Sequence, residues 1–238
     1  AAAALTAPLS PAHASIGTLP EYANTNTILQ GITVKITDPS QFEQMITFLT
    51  TCFDFKILRS NADASDVWLG FGPERMSIPD DFVIPASSFN QYGGHASIHL
   101  TYDITATTPY YRSDGNVPGD NVEFLQVGVP QYRVSQMTGA GGTVIDAFGF
   151  VNVVSPSGLP MRGIVGVWPD PMMFVAIRCA NVEESRKFYE TTLGFKEVDY
   201  PYCRLLKGKG DFEPEKPKNS IYLAPSEKSM GVLLLPLE

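Results

Sequence analysis

Side chains able to move a proton, hold a cation or attack a carbonyl are few in this sequence. There are three histidines, His13, His95 and His99. His95 and His99 are four residues apart, and on an extended strand that spacing separates them by about 13 Å, too far to share one ion. That argues against a metal site assembled from His95, His99 and Glu123. His99 sits in an alternating stretch, Ser97-Ile98-His99-Leu100-Thr101-Tyr102-Asp103. It reads as a hydrogen-bonded interior residue or, if that face lines a cavity, as an acid or base. His99 and Glu123 are therefore the candidates for any retained catalysis. Arg162, with Tyr102 and Tyr132, could line a pocket for an anionic ligand; the competing reading pairs Arg162 with one of the chain's many acids. Cys52, Cys179 and Cys203 form no CxxC pair and read as reduced, Cys52 and Cys179 facing the core. No G-x-S-x-G elbow, Walker loop or HExxH motif occurs. Gly139-Ala140-Gly141-Gly142 follows a helix, so it reads as a helix stop and not a phosphate cradle.

The elements that must position these residues follow from periodicity. Residues 28–37 alternate as a strand, and Asp38-Pro39 supplies an N-cap with proline at the first helical position. Phe42, Met45, Ile46, Leu49 and Phe53 then recur at helical spacing. Strands are expected at 55–59, 67–71 and 96–102, with a long Pro/Gly/Ser-rich loop at 72–94. Near the C-terminus the order recurs. A strand at 173–179 precedes the capping pattern Asn181…Glu184. Val182, Ser185, Phe188 and Tyr189 form a helix face, and Gly194 gives the left-handed stop. Strands are expected at 195–198, 203–206, 220–223 and 231–235. A looser copy lies between, with strands at 122–129, 148–154 and 162–167 and a short helix at 131–138.

The first and last copies superpose in sequence. Phe48-Leu49-Thr50-Thr51-Cys52-Phe53-Asp54-Phe55-Lys56 lies over Phe188-Tyr189-Glu190-Thr191-Thr192-Leu193-Gly194-Phe195-Lys196. Two caps, two aromatic helix faces and two Phe-Lys strand starts indicate an internal repeat. The fold class is α+β, built of repeated βαβββ modules forming curved mixed sheets.

Composition is that of a globular chain: 238 residues, 44% hydrophobic and 18% charged. The net charge is -8, and residues 1–171 carry all of the acidic excess. An acidic surface repels phosphate backbones, so nucleic-acid binding is not expected. Lys207-Gly208-Lys209 is too short a basic run to alter that. No apolar run is long enough for a transmembrane helix.

Phe188-Tyr189-Glu190-Thr191-Thr192-Leu193-Gly194-Phe195 resembles the FY-x-x-x-LGF signature of the glyoxalase, bleomycin-resistance and dioxygenase proteins of the vicinal-oxygen-chelate superfamily. Ser155-Pro156-Ser157-Gly158 resembles that group's DPDG turn with both acids replaced, and 97–103 resembles a module's closing strand. The resemblance covers nearly everything from residue 28 onward. It implies paired βαβββ modules whose sheets curve into a cup around a divalent metal. Each module would give one His or Gln from its first strand and one Glu from its last, and the metal would polarise substrate oxygens.

Those ligand positions fall here on Gly31 and His99 in the first copy, Phe124 and Arg162 in the middle copy, and Phe174 and about Leu234 in the last. One donor among six is no metal site, and a guanidinium repels a cation. The expectation is therefore a protein with no metal or other cofactor and no catalytic residue, with His99 and Glu123 as the alternative if enzyme chemistry survives. The expected domains are an Ala/Pro-rich arm at 1–27, a two-module domain at 28–168 and a third module at 172–238. Trp168-Pro169-Asp170-Pro171 is then a stiff linker. The third module, lacking a mate, would be covered by a protein partner or by self-association. Ala12-His13-Ala14 within an Ala/Pro-rich start suggests a processed targeting segment. The expected setting is a plastid, in chloroplast stroma or thylakoid lumen. The expected role is a structural or assembly subunit of a larger photosynthetic complex, compatible with peripheral association at a membrane. The alternatives are a lyase, isomerase or dioxygenase of the superfamily, or a small-molecule binder.

Overall fold

A computed structural model of the chain describes residues 29–72, 95–102, 121–145, 150–166, 168, 170–200, 217–226 and 229–237. The N-terminal arm, most of the Pro/Gly-rich segments, and the strand expected at 203–206 with Cys203 lie outside the described residues. No helix among the described residues is long and apolar enough to cross a membrane.

The first copy runs β1 (Gly31–Ile36), α1 (Pro39–Cys52), β2 (Lys56–Ser60), β3 (Asp66–Gly70) and β4 (Ser97–Tyr102). Asp38 caps α1 as its sequence position predicts, accepting from the Ser40 amide at 2.8 Å, with Pro39 in the first turn. The middle copy runs β5 (Val122–Val129), a 3-10 turn at Gln131–Arg133, α2 (Val134–Gly139), β6 (Thr143–Val144), β7 (Phe150–Val154) and β8 (Pro160–Val165). The last runs β9 (Met172–Cys179), α3 (Val182–Leu193), β10 (Lys196–Glu197), β11 (Ile221–Ala224) and β12 (Gly231–Pro236). Asn181 caps α3 by accepting from the Glu184 amide, and Gly194 ends it at φ 70°. That backbone conformation favours glycine.

All three copies share one strand order: the first strand lies parallel to the fourth, which pairs with the third, which pairs with the second. The joining of copies differs from the expectation. It is β5 and β9 that pair, antiparallel, so the middle and last copies form one eight-stranded sheet, β10-β11-β12-β9-β5-β8-β7-β6. The first copy is a separate four-stranded sheet, β1-β4-β3-β2, with β1 outermost among the described residues. The third module has its mate. The physical reason lies in the strands themselves. β5 and β9 are apolar along nearly their whole length, as befits strands at a sheet's centre, whereas β1 alternates buried and exposed positions.

The first and middle copies instead share a core. Phe42, Met45, Leu49 and Phe53 of α1 and the turn after it pack with Val34, Leu69 and Leu100 of their own sheet. They also pack with Leu125, Val151 and Met161 from the outer face of the large sheet. One helix thus serves two sheets. The middle copy's own helix is reduced to six residues. Farther along the same outer face of the large sheet, α3 covers Ile221, Leu223, Val232 and Leu234.

Candidate functional site

Two concave faces could hold a site, one on each sheet. In the large sheet, Phe124 and Phe174 point into the cup, as the ligand positions require, and Arg162 lies there too. Leu234 does not. β12 lies beside β9 with Gly231 opposite Phe174, so alternation turns Leu233 and Leu235 to the cup and Leu234 to α3. The expected register was off by one, with no change in chemistry, because all three are leucines. The cup is filled. Phe174 is fully buried, its ring centroid 6.0 Å from that of Phe124, 5.7 Å from Tyr200 and 5.6 Å from Tyr222. Burial raises the Tyr200 hydroxyl pKa to about 12, and burial together with the Asp170 charge raises that of Tyr222 further. Trp168 rests its indole directly on Gly128, where any Cβ would lie 2.1 Å from Trp168 Cδ1.

One cup residue escaped the sequence reading. Gln126 faces Arg162 on β8 and Phe174 on β9 and is 1% exposed; its Nε2 lies 3.6 Å from Met173 Sδ, and its Oε1 has no hydrogen-bond partner among the described residues. Reading the first-strand position two residues too early hid it. A single carboxamide oxygen among phenyl rings and a guanidinium does not make a divalent-metal site. Among the described residues no three His, Cys, Asp or Glu side chains gather around a common point. The residues present do not fit the metal that the resemblance implies.

At the rim of the large sheet, Arg178 grips Glu123 through both carboxylate oxygens, at 2.6 and 3.0 Å. That hydrogen bonding holds the Glu123 carboxyl below its ordinary pKa, which makes it a poor base near neutrality. Arg162 lies 3.8 Å over the Phe124 ring and donates to Asn152 at 2.8 Å, beside a cavity of about 330 Å³. The expected partners of Arg162 sit elsewhere. Tyr102 packs edge-on to Phe42, and Tyr132 donates to Asp54 beneath Arg133, which itself pairs with Asp54. Glu123 and His99 belong to different sheets, so the two catalytic candidates do not combine.

The four-stranded sheet is the opposite case. Its convex face, Val34, Ile36, Val67, Leu69, Ile98 and Leu100, is buried beneath α1. Its concave face is polar. Strand register aligns Thr33, His99, Trp68 and Arg59 in one row across all four strands. Trp68 and His99 stack at 4.1 Å with their planes 4° apart, and the Arg59 guanidinium carbon lies 3.5 Å from the Trp68 centroid. His99 Nε2 lies 2.7 Å from Asp66 Oδ1, and Thr33 Oγ1 lies 3.4 Å from His99 Nδ1. A hydrogen bond from Thr101, reinforced by His99, holds the Asp66 carboxyl below its ordinary pKa. Asp66 is thus an ionised acceptor placed to take the His99 Nε2–H. A cavity of about 250 Å³ adjoins this row over Gly31 and Ser97. Sequence alone could not reach Asp66, Trp68 or Arg59, because their relation to His99 exists only through pairing register. His95 stands at the entry to β4, as expected, with Nδ1 4.0 Å from Asp170. Buried Asp170 accepts from the Ala96 amide at 3.0 Å and the Met172 amide at 3.2 Å, tying the first sheet to the strand that opens the third module.

No family model matches the chain, and no curated protein does. Solved structures do. Two mutant forms of glyoxalase I from Zea mays superpose with TM-scores of 0.58 and 0.59 at 17% and 18% identity. They cover 91% and 89% of this chain, which spans 70% and 69% of theirs. A putative dioxygenase from Bacillus subtilis superposes with a TM-score of 0.50 at 14% identity, over 88% of this chain and 64% of its own. At such identities the likeness is one of fold.

Proposed function

Starting from a chain that carries the glyoxalase-like, vicinal-oxygen-chelate fold, we propose a metal-free protein that serves as a structural or assembly subunit of a larger complex. The setting we propose, from the Ala/Pro-rich composition of residues 1–27 and their Ala12-His13-Ala14 triplet, is the photosynthetic apparatus of a plastid. One observation carries the reading: the cup where this architecture would hold its ion is packed with Phe124, Phe174, Tyr200 and Tyr222. A site converted into core cannot polarise a substrate, while the sheet built on it keeps its shape. The place for a partner is the first module, where β1 is the counterpart of the two strands that join in the large sheet. A four-stranded partner module joined there would complete a second eight-stranded sheet. The test is elemental analysis of the purified protein together with the native mass of the protein in its source extract. The expected result is no stoichiometric divalent ion and a native mass well above 26.0 kDa. A tightly held ion at one per chain, or a free monomer in the extract, ends the proposal.

A second reading, a small-molecule site without metal, is favoured by the Asp66–His99 pair on the polar face of the first sheet.

A further inference from the structure

We propose that the cup of the large sheet holds an internal water that bridges the carboxamide oxygen of Gln126 and the indole N–H of Trp168. Among the described residues, the buried side-chain atoms without a hydrogen-bond partner are His95 Nδ1, Gln126 Oε1, Arg133 Nε and Trp168 Nε1. His95 stands beside Asp170 and Arg133 beside Asp54, away from the cup. The other two belong to it. A dry cup would end this proposal alone, whereas a bound ion would end the metal-free reading as well.

The first argument is energetic. A buried polar atom with no partner bears its full desolvation cost, so folded proteins supply one, from the chain or from ordered solvent. Gln126 is 1% exposed and sits in a strand whose cup face carries Phe124. Trp168 packs against the same cluster of rings. One of these orphans is an acceptor and the other a donor. Whatever completes the cup must donate to the first and accept from the second.

The second argument is placement. Alternation along β5 puts Phe124, Gln126 and Gly128 on one face. Trp168 Nε1 lies 2.9 Å from the point a Cβ on Gly128 would occupy. Side chains two apart on a strand face are separated by roughly 6.6–6.8 Å. Gln126 also leans towards that end. The β5·β9 register passes from Gln126 opposite Phe174 to Val127 opposite Met172, which leaves Met173 as the extra residue between them. Gln126 Nε2 lies 3.6 Å from the Met173 sulfur, on the Gly128 side of Phe174. A water that bridges a donor and an acceptor spans roughly 5–6 Å, the sum of two hydrogen bonds, which matches this spacing.

The third argument is the chemistry of the guest. An indole N–H turns its positive end to whatever lies before it and so disfavours a cation, while a neutral carboxamide oxygen disfavours an anion. A hydroxyl group suits both. Phe174 is fully buried, with three ring centroids 5.6–6.0 Å from its own, so the guest must be small. Internal waters make about three hydrogen bonds. The buried Tyr222 hydroxyl, 3.4 Å from the Met173 carbonyl, reaches the same bulge and is the third partner. The side chain that stands where an ion's ligand would stand thus holds solvent instead.

The experiment is nuclear magnetic resonance of the full chain, read at the Trp168 indole proton, which is assigned by its loss in Trp168→Phe. The expected result is a cross-peak between that proton and water, of opposite sign in laboratory-frame and rotating-frame spectra. Opposite signs mark a long-lived water and set it apart from proton exchange. Gln126→Met keeps the length of the side chain and removes the oxygen, so it should abolish the cross-peak. Fluorescence gives a second readout in the Trp68→Phe background, where Gln126→Met should move Trp168 emission to shorter wavelength as the indole loses its hydrogen bond. Oxygen-17 relaxation dispersion needs no change at Gln126. It should count one long-lived water fewer in Trp168→Phe than in the unmodified chain, which keeps the test decisive if Gln126→Met does not fold. An indole proton with no water contact overturns the proposal. So does a cross-peak that survives in Gln126→Met, or an equal count of long-lived waters with and without Trp168.

Discussion

Replacing Phe174 by alanine distinguishes a cup that is core from a cup that is a site. Phe174 is fully buried and meets three other aromatic rings at 5.6–6.0 Å. A buried Phe→Ala change costs about 3–5 kcal/mol, and each aromatic pair adds ~0.5–1.5 kcal/mol beyond simple burial. With three ring partners the loss belongs near the middle of that range or above, about 4–5 kcal/mol. With a urea m-value of roughly 2–3 kcal/mol/M for a chain of this length, the unfolding midpoint should fall by about 1.5–2 M. The chain's two tryptophans, Trp68 in the small sheet and Trp168 on the large one, make a direct assay. Equilibrium unfolding followed by fluorescence, in backgrounds carrying Trp68→Phe or Trp168→Phe, reads each sheet separately. A loss below about 1 kcal/mol would refute the reasoning, because it would mean that the rings around Phe174 enclose open space.

Other outcomes follow from single contacts. Gly128→Ala puts a methyl against Trp168 and should displace the indole, costing about 1–3 kcal/mol and shifting its emission to longer wavelength in the Trp68→Phe background. Asp38→Ala removes the cap of α1 and should cost about 1 kcal/mol in urea unfolding. Glu123 has a folded pKa depressed by Arg178, so its contribution is present above the ordinary carboxylate value of 4.5 and is lost as pH falls below it. Glu123→Gln should therefore lower stability at pH 7 and flatten its decline below pH 4.5, read by thermal melts across that range.

Much of the architecture was legible because each copy writes its own punctuation. Asp38-Pro39, Asn181…Glu184 and Gly194 mark helix ends by local chemistry, and the structure places caps and stop at those residues. The pairing of copies was legible too, but in a signal that counting modules along the chain overlooked. Leu125-Gln126-Val127-Gly128-Val129 and Met172-Met173-Phe174-Val175-Ala176-Ile177 lack the alternation seen at Gly31-Ile32-Thr33-Val34-Lys35-Ile36. Strands buried on both sides belong together at a sheet's centre. The site was less accessible. His99 could be singled out by its type, but Asp66, Trp68 and Arg59 come to it from two other strands, across register that includes an irregularity between Ile57 and Arg59. Gln126 was hidden by a two-residue shift, and the cup-facing Leu233 and Leu235 by a one-residue shift among identical side chains.

Because α1 is wedged between both sheets, it joins what the repeat would otherwise leave as separable pieces. Met45 touches Ser157 of the middle copy, Cys52 reaches the Gln136 carbonyl, and Arg133 holds the Thr51 carbonyl. The first module cannot be excised without baring the outer surface of its neighbour, nor the neighbour without stripping the helix of half its packing. Melting should accordingly be a single cooperative event for both sheets, and fragments cut between residues 102 and 121 should fold only when mixed.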